Sequence, residues 1–188
     1  MRLLADRPGS FAALVAVLSR GGIAVAPGDT MYGLVGKAPE TDAALRSVKG
    51  RGEDKPFLLL LRDASWLSRL TDAAVPPRLA RHWPGPLTII LPSRQGGTVA
   101  VRVPDSPFLA SLLEQVDAPL YSTSVNRAGQ PPLTRIDAIC AEFEADVDMV
   151  YDAGDAPPGP PSTLVDASVR PFRVARQGAL EVPPEDLV

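Results

Sequence analysis

The clearest sign of the fold lies in three consecutive pieces of sequence, Leu87-Thr88-Ile89-Ile90-Leu91, Gln95-Gly96-Gly97 and Val99-Ala100-Val101-Arg102-Val103. The two outer pieces are short, apolar and rich in β-branched residues, which is typical of strands. The glycine pair between them is typical of a tight turn. Together the three pieces predict two strands joined by a turn.

Strand and helix patterns alternate on both sides of this pair. Apolar runs predict further strands at 23–27, 57–61, 120–124, 149–152, 163–166 and 172–176. Capping residues Ser10, Thr41, Ser106 and Thr134 predict helices at 11–20, 42–49, 108–115 and 136–143, and a short helix is predicted at 76–82. The alternation predicts an α/β fold in which one mixed sheet is flanked by helices.

Length and composition predict one globular domain. The chain has 188 residues, 45% of them hydrophobic, and a net charge of −3, which fits a single core and excludes wholesale disorder. A Pro-rich stretch at 156–161 interrupts the pattern, but the segment after it is too short for a second core. We therefore expect a loop there, one domain over residues 1–188 and no additional C-terminal domain.

The rare residues exclude several classes of function. Cys140 is the only cysteine and His82 the only histidine. Disulfide frameworks, Cys-based zinc sites and His clusters are therefore excluded. A Ser-His-Asp hydrolase would have to use His82, which makes acyl transfer a poor first hypothesis.

Charge and hydropathy favour a cytoplasmic protein without a membrane segment. No apolar run reaches the roughly 18–20 residues that span a bilayer. The run at 11–18 is not followed by the small-x-small cleavage site of a signal peptide. The balance of 22 Asp and Glu against 19 Lys and Arg argues against a general nucleic-acid binder.

Polar clusters follow several predicted elements, at positions where α/β sheets bind ligands. They are 27–33, 49–56 with three cations, 122–127, and the pair Thr98 and Arg102. Each cluster alone is also consistent with an ordinary solvated loop, and the sequence contains neither a P-loop nor a dinucleotide-binding glycine motif. Cations and hydroxyls without a histidine base favour an anionic ligand, and hence phosphoryl or nucleotidyl transfer.

The same clusters resemble the motifs of YrdC-type threonylcarbamoyl-AMP synthases. Residues 27–34 (PGDTMYGL) resemble the signature P-T-[DE]-T-x-Y-G-L, while 49–51 and 124–126 match K-x-R and S-x-N. The remaining matches are 83–88 to W-P-G-P-L-T, 101–104 to V-R-x-P, 161–166 to P-S-T-[IV]-V-D and 176–178 to R-x-G. The matches come in the family's order and cover nearly the whole chain.

The resemblance implies a YrdC-like fold, a twisted mixed open sheet flanked by helices with a dsRBD-like cleft. It also implies a nucleotidyltransferase, an L-threonylcarbamoyladenylate synthase, which joins L-threonine, bicarbonate and ATP and releases pyrophosphate, with Mg²⁺ on the phosphates. The adenylate would pass to a separate tRNA threonylcarbamoyl transferase complex for the t6A modification of tRNA. A weak contact with tRNA itself is part of this expectation.

The resemblance also assigns roles to the matched residues. Those expected to bind ATP are Lys49, Arg51, Lys55, Thr98, Ser124, Asn126 and Arg176, with Lys49 and Arg51 acting in catalysis. Those expected to bind threonine or its carbamate are Thr30, Arg102, Ser122 and Ser162. No side chain is assigned as a metal ligand, because Mg²⁺ is expected to be carried by the phosphates of ATP.

Several of these polar residues have a structural alternative. Asn126 also fits a loop cap and Ser162 a turn, while Asp29 fits either a Mg²⁺ ligand or a turn residue. Tyr32 and Trp83 are predicted to pack rather than to touch substrate, and His82 is predicted to end a helix.

Two departures from the family pattern keep other functions open. Gly28 stands where the family usually has Thr, and Leu60 stands where longer members have a threonine-binding His. These two residues favour the alternative that the chain is a paralogue which adenylates another carbamate. A module that binds double-stranded RNA or tRNA without catalysis is the alternative from another class, although few aromatic residues are present for base stacking. A hydrogenase-maturation carbamoyltransferase is disfavoured because the additional domains of such proteins are not in this sequence.

Overall fold

The chain folds around one mixed sheet in the computed structural model, which describes residues 1–52, 56–156 and 159–188. The strands within these ranges are β1 (Arg2–Leu4), β2 (Ile23–Ala26), β3 (Gly33–Lys37), β4 (Leu58–Leu60), β5 (Leu87–Pro92), β6 (Thr98–Arg102), β7 (Leu120–Ser124), β8 (Met149–Asp152), β9 (Thr163–Asp166) and β10 (Arg173–Arg176). Their order across the sheet is β1-β8-β2-β3-β7-β4-β6-β5-β9-β10.

The sheet contains both parallel and antiparallel pairs. Strand β8 pairs in parallel with β1 and β2, as β4 does with β6 and β5 with β9. The pairs β2–β3, β3–β7, β4–β7, β5–β6 and β9–β10 are antiparallel. The predicted mixed sheet is therefore confirmed, including the hairpin of β5 and β6.

Helices cover parts of both faces of the sheet. They are α1 (Ser10–Ser19), α2 (Asp42–Lys49), α3 (Pro77–Ala80), α4 (Pro107–Val116) and α5 (Ile136–Phe143), and short 3-10 helices lie at Ala64–Arg69 and Pro184–Leu187. Neighbouring residues of β2 point to opposite faces, so Ala24 packs with α1 and α4 while Val25 packs with α2 and α5. No helix in the described ranges is long and apolar enough to cross a membrane.

Three of the four predicted capping residues make no side-chain cap hydrogen bond. Ser10 is the first residue of α1 rather than its cap, and its Oγ donates a hydrogen bond of 2.6 Å to the carbonyl oxygen of Leu4. At the start of α5 the backbone N–H of Ile136 is satisfied by Asp155 Oδ1 at 2.8 Å, not by Thr134. Thr41 stands at the cap position of α2, but its Oγ1 donates to the carbonyl oxygen of Lys37 at 2.8 Å. Only the Ser106 side chain caps as predicted, accepting from the N–H of Leu109 at 3.3 Å.

Two strands form where the sequence gives no clear strand pattern. Strand β1 forms because it lies beside β8, with Arg2 opposite Val150. Strand β3 contains Gly33 and Gly36, which weaken the pattern, and it is held by neighbours on both sides. Pairing with neighbouring strands, rather than the local sequence, therefore determines that these two segments are strands.

The register of the central strands places a row of side chains on one face. Ser122 of β7 is opposite both Val35 of β3 and Leu58 of β4, and Leu58 is opposite Ala100 of β6. Two residues along each strand, Leu60 lies beside Arg102. Because directly paired residues share a face, this face is the floor on which the cleft described next is built.

Candidate active site

A cleft of about 730 Å³ lies on this face of the sheet. Its floor comes from strands β2 to β7 together with β9 and β10. Leu109 of α4 forms part of its wall, and the loops after β2, α2 and β7 form its rim. The predicted site residues that line it are Thr30, Lys49, Arg51, Arg102, Ser122, Ser124, Asn126, Ser162 and Arg176. The fold thus brings together polar residues that lie far apart in the sequence.

Lys49, the last residue of α2, is a buried cation held by uncharged acceptors. Only 4% of the residue is exposed. Its Nζ donates to Asn126 Oδ1 at 2.5 Å, to the carbonyl oxygen of Ser124 and to Ser124 Oγ at 3.3 Å. Burial, with a smaller contribution from the charge of Arg51, lowers the pKa of Lys49 to about 8.

Asn126 fixes both the cation and its own loop. Its Oδ1 accepts from Lys49 and from Ser124 Oγ, the latter at 2.6 Å. Its Nδ2 donates to the carbonyl oxygens of Arg127 at 2.9 Å and of Gln130 at 2.5 Å. The two sequence interpretations of Asn126, site residue and loop cap, therefore describe one hydrogen-bond network.

Arg51 extends the cationic rim beyond Lys49. Its Nη2 donates to the carbonyl oxygen of Pro56 at 2.9 Å, and its guanidinium carbon lies 5.0 Å from the centre of the Phe57 ring. Its Nη1 is 3.5 Å from Thr123 Oγ1. Lys55, the third predicted cation of this segment, lies outside the described residues.

On the other side of the floor, Arg102 forms a buried ion pair with Asp29. Arg102 Nη2 lies 2.7 Å from Asp29 Oδ1, and each side chain is 5% exposed. The Arg102 Nε is buried and has no hydrogen-bond partner in the described part of the chain. Burial lowers the pKa of Arg102, Asp29 opposes that effect, and nearby Arg176 adds to it. Asp29, which the sequence left as a turn residue or Mg²⁺ ligand, is thus the counter-ion of Arg102.

The loop that carries Asp29 needs glycine at position 28. The Gly28 N–H donates to the carbonyl oxygen of Met31 at 2.9 Å, and a Cβ on Gly28 would lie 2.4 Å from that oxygen. Threonine, which stands at this position in the signature that residues 27–34 resemble, would therefore require a different loop conformation. Tyr32 anchors the end of the loop, because its hydroxyl donates to the carbonyl oxygen of Gly154 at 3.0 Å.

Ser162 and Arg176 meet at the far end of the cleft. Arg176 Nη2 donates to the carbonyl oxygen of Ser162 at 3.0 Å and lies 3.4 Å from Ser162 Oγ. The chain after Arg176 passes so close to β9 that a Cβ on Gly178 would lie 2.2 Å from the carbonyl oxygen of Pro161. Glycine at 178 therefore allows the approach that keeps Arg176 beside Ser162.

Two residues depart from the expected set. Thr98, predicted to bind ATP, is exposed at the start of β6 and is not among the residues that line the cleft. Thr88, to which the sequence reasoning assigned no role, lines the cleft, and its Oγ1 lies 2.8 Å from Ser162 Oγ. The signal for Thr88 was the period-2 pattern of β5, which places it on the same face as Ile90.

Two conspicuous side chains lie outside the cleft lining. The Trp83 Nε1 donates to the carbonyl oxygen of Leu87 at 2.6 Å, which is a local packing contact. His82 Nε2 lies 2.9 Å from Asp186 Oδ2, where it helps attach the C-terminal segment to α3. Among the described residues, no group of three or more His, Cys, Asp or Glu side chains could hold a metal ion.

Comparison with known proteins identifies relatives along most of the chain. Residues 16–178 match the family model of Sua5, YciO and YrdC, described as "Telomere recombination". Threonylcarbamoyl-AMP synthase of Alkalilimnicola ehrlichii is 36% identical over 178 residues, which cover 87% of this chain and 90% of that protein. The Bacillus subtilis protein of the same name is 30% identical over 165 residues, 80% of this chain. The chain spans 48% of the Bacillus protein, about half of its length.

A solved structure shares the fold. Sua5 of Pyrococcus abyssi, solved in complex with L-threonine, superposes with a TM-score of 0.86 at 24% identity, covering 96% of this chain and 58% of that one. At this identity the likeness supports the fold alone. The predicted twisted, mixed sheet flanked by helices is confirmed by it.

Proposed function

Because the chain belongs to the Sua5/YciO/YrdC family, we propose that it catalyses the formation of threonylcarbamoyl-adenylate from L-threonine, bicarbonate and ATP. The observation that carries the proposal is a pair of buried cations, Lys49 and Arg102, on the floor of one cleft. Lys49 contacts β7 and Arg102 lies on β6, with β4 between these strands. Arg102 is level with Leu120 of β7, whereas Ser124 lies four residues further along that strand, so the two cations are attached two strands apart and at different heights on the sheet. This arrangement leaves room for two anionic ligands in one cleft.

The reaction needs positioning and charge more than a strong base. The threonine ammonium and bicarbonate give a carbamate, water and a proton. One carbamate oxygen then attacks the α-phosphorus of ATP, and pyrophosphate leaves with the electron pair of the broken P–O bond. Cations placed where negative charge develops stabilise such a step.

Lys49 and Arg51 are proposed to receive the triphosphate. Lys49 is fixed by three acceptors without a counter-ion among them, so its charge is available to the phosphates. Ser124 and Asn126 hold Lys49, and Arg176 is proposed to contact the nucleotide from the opposite side. Lys55 and Thr98 remain proposed ATP contacts from the sequence resemblance alone.

Arg102 is proposed to hold the threonine carboxylate. Its buried Nε has no acceptor within the described residues, and a carboxylate would supply one. Thr30, Ser122 and Ser162 line the same cleft with hydroxyl groups that suit the remaining polar atoms of threonine or its carbamate.

Mg²⁺ is proposed to enter with ATP. The cleft lining offers cations and hydroxyls rather than a group of carboxylates, which fits a metal held by phosphate oxygens. Bound in this way, Mg²⁺ would neutralise phosphate charge. We further propose that the protein acts in the cytoplasm, that its adenylate passes to a tRNA threonylcarbamoyl transferase complex, and that any direct tRNA contact is weak.

The proposal is tested by pyrophosphate release in CO₂-free buffer with ATP and Mg²⁺, omitting threonine and bicarbonate in turn. We expect release only when both are present. Asp72→Asn, which changes an exposed partner of Arg94 outside the cleft, serves as the matched active control. Failure to bind ATP would reject the enzyme and favour the RNA-binding alternative, which predicts RNA affinity that falls steeply with salt.

A second candidate activity is adenylation of another amino-acid carbamate. It is favoured by Leu60, which lies directly beside Arg102 and lines the cleft, so the wall next to the proposed carboxylate site is apolar. Pyrophosphate release with valine in place of threonine distinguishes the two. A higher kcat/KM for valine would assign the chain to this paralogous activity.

A further inference from the structure

Arg127 directly follows Asn126 in the sequence, but it is not among the residues that line the cleft. Its Nε donates to Glu142 Oε1 at 2.6 Å, and its Nη2 donates to Asp146 Oδ2 at 2.6 Å. Its guanidinium carbon also lies 4.6 Å from the centre of the Phe143 ring. Two carboxylates and one aromatic ring, all from α5 and the turn after it, therefore hold the guanidinium group in one orientation.

Another nitrogen of the same group reaches the end of α2. Arg127 Nη1 donates to the carbonyl oxygen of Val48 at 2.5 Å. The last carbonyl oxygens of a helix have no partner within the helix, and the negative end of the helix dipole lies there, so a cation at this position is favourable. The next residue makes a second link, since the N–H of Ala128 donates to the carbonyl oxygen of Lys49 at 2.9 Å. Arg127 and Ala128 therefore fix the last two residues of α2.

These links act on the residue that carries one of the two cations of the cleft. Lys49 is the last residue of α2, and its Nζ must meet Asn126 Oδ1 and two oxygens of Ser124. The ammonium group is thus attached to a helix, whereas its acceptors belong to the end of β7 and the loop after it. Arg127 joins this loop to this helix, because it belongs to the loop and binds the carbonyl oxygen of the residue before Lys49.

The charge of Arg127 does not explain why an arginine is present. Glu142 and Asp146 both pair with it, so its one positive charge faces two negative charges and is not available to an anionic ligand. The three side chains are between 36% and 45% exposed, and ion pairs exposed to this degree contribute little to stability. The forked shape of the guanidinium does explain the choice, since it reaches Glu142, Asp146 and Val48 at once.

We propose that Arg127 is a positioning residue for Lys49, which holds the end of α2 where the ammonium group meets Ser124 and Asn126. This inference rests on the proposed function, in which Lys49 receives the triphosphate of ATP. A displacement of about 1 Å is enough to cost such a group much of its effect on a bound substrate.

Arg127→Gln tests the inference through the affinity for a non-hydrolysable ATP analogue, measured by calorimetric titration. The affinity is expected to fall about 10-fold, a loss typical of coupling between contacting groups. The affinity for threonine is expected to stay near that of the wild type. Arg127→Lys, which keeps the charge, is expected to lose affinity for the analogue as well, because one ammonium group cannot reach the three acceptors together.

A double variant shows whether Arg127 acts through Lys49. In the Lys49→Met background the cation to be positioned is absent, so adding Arg127→Gln should change the affinity for the analogue by less than about twofold. Ligand-observed NMR measures the weak binding of these variants.

Arg2→Gln is the matched control for the Arg127 variant. Arg2 also pairs with two carboxylates, those of Asp137 and Asp152, and its side chain is 37% exposed. It is not among the residues that line the cleft. Its replacement is expected to leave the affinity for the analogue unchanged.

Three results would overturn the inference while the wild type binds the analogue. The first is wild-type affinity in Arg127→Gln or in Arg127→Lys. The second is a loss on adding Arg127→Gln to Lys49→Met that equals the loss in the wild-type background. The third is an equal loss in Arg2→Gln. If Arg127→Gln does not fold, as judged by thermal melting, Arg127→Lys replaces it in both backgrounds. A wild-type chain that does not bind the analogue would instead reject the proposed function itself.

Discussion

The two buried cations of the cleft are stabilised in different ways. Lys49 donates to uncharged oxygens of Ser124 and Asn126. Arg102 is paired with the carboxylate of Asp29 at 2.7 Å, while one of its donors has no partner in the described residues. One cation therefore keeps its full charge, and the other is largely neutralised before any ligand arrives.

This difference matches the ligands proposed for each side. A cation without a counter-ion attracts a triphosphate strongly, but its burial makes the charged form costly and moves its pKa towards neutrality. A guanidinium stays charged and can be buried with a partner, which suits weak, reversible binding of a single carboxylate. The comparison predicts that substitutions near Lys49 weaken the binding of ATP, whereas substitutions near Arg102 weaken the binding of threonine.

The largest effect is expected from Lys49→Met. The variant removes the charge and all three hydrogen bonds of the ammonium group, so affinity for a non-hydrolysable ATP analogue should fall by at least about 100-fold. Threonine affinity should change little. Calorimetric titration measures both constants.

Lys37→Met is the matched control for the Lys49 variant. Lys37 pairs with Glu40 at 3.2 Å and is not among the residues that line the cleft, so its replacement should leave ATP affinity unchanged. Equal losses in both lysine variants, or ATP affinity retained in Lys49→Met, would remove the distinction between the two sides.

An intermediate effect is expected from Asp29→Ala on the other side. Without its counter-ion Arg102 loses its orientation, and threonine affinity should fall about 10- to 100-fold while ATP affinity stays close to that of the wild type. The free energy of unfolding should fall by about 3–5 kcal/mol, because a buried cation is left unpaired. Isothermal titration and chemical denaturation measure these quantities.

Asp29→Asn sharpens that test, since it keeps an acceptor oxygen but removes the charge. It should retain more threonine affinity than the alanine variant. A larger loss in Asp29→Asn than in Asp29→Ala would show that Asp29 does not act by orienting Arg102.

The smallest effect on ATP affinity is expected from raising the pH. With a pKa of about 8, Lys49 is about nine-tenths protonated at pH 7 and about one-tenth at pH 9, so ATP affinity should fall by up to about 10-fold over this interval. In Lys49→Arg, which does not titrate here, the dependence should vanish; its persistence would exclude Lys49 as the titrating group.

The same ionisation makes a prediction for stability, with the opposite direction in pH. The folded chain releases the Lys49 proton near pH 8, whereas an ordinary lysine does so near 10.5. Between these values the unfolded state binds more protons, so the contribution of Lys49 to stability rises with pH. Below pH 8 the cost of burying the charged lysine is fully present.

The sequence predicted those features that depend on neighbours along the chain. The apolar runs of β4 and β5 and the cap at Ser106 formed as expected. Distant partners were not predictable. Asp155 lies 19 residues beyond the N–H that it caps. β1 is a strand only because β8 lies beside it.

The same limit applies to the site. The motifs predicted nine of the residues that line the cleft, because each motif is local in the sequence. The pairing of Asp29 with Arg102 joins residues 73 positions apart, and the hydroxyl pair of Thr88 and Ser162 joins residues 74 apart. Such contacts depend on the strand order, which the sequence pattern does not reveal.

The strand order also has a consequence for how the protein is made. Lys49 leaves the ribosome 75 residues before Ser124, its nearest acceptor, and Asp29 leaves 73 residues before Arg102. At synthesis rates of about 5–20 residues per second, roughly 4–15 s pass between the synthesis of each charged residue and that of its partner. The cleft lining is complete only when Arg176 has been added. Assembly of the binding site is therefore expected to follow synthesis of all residues up to Arg176.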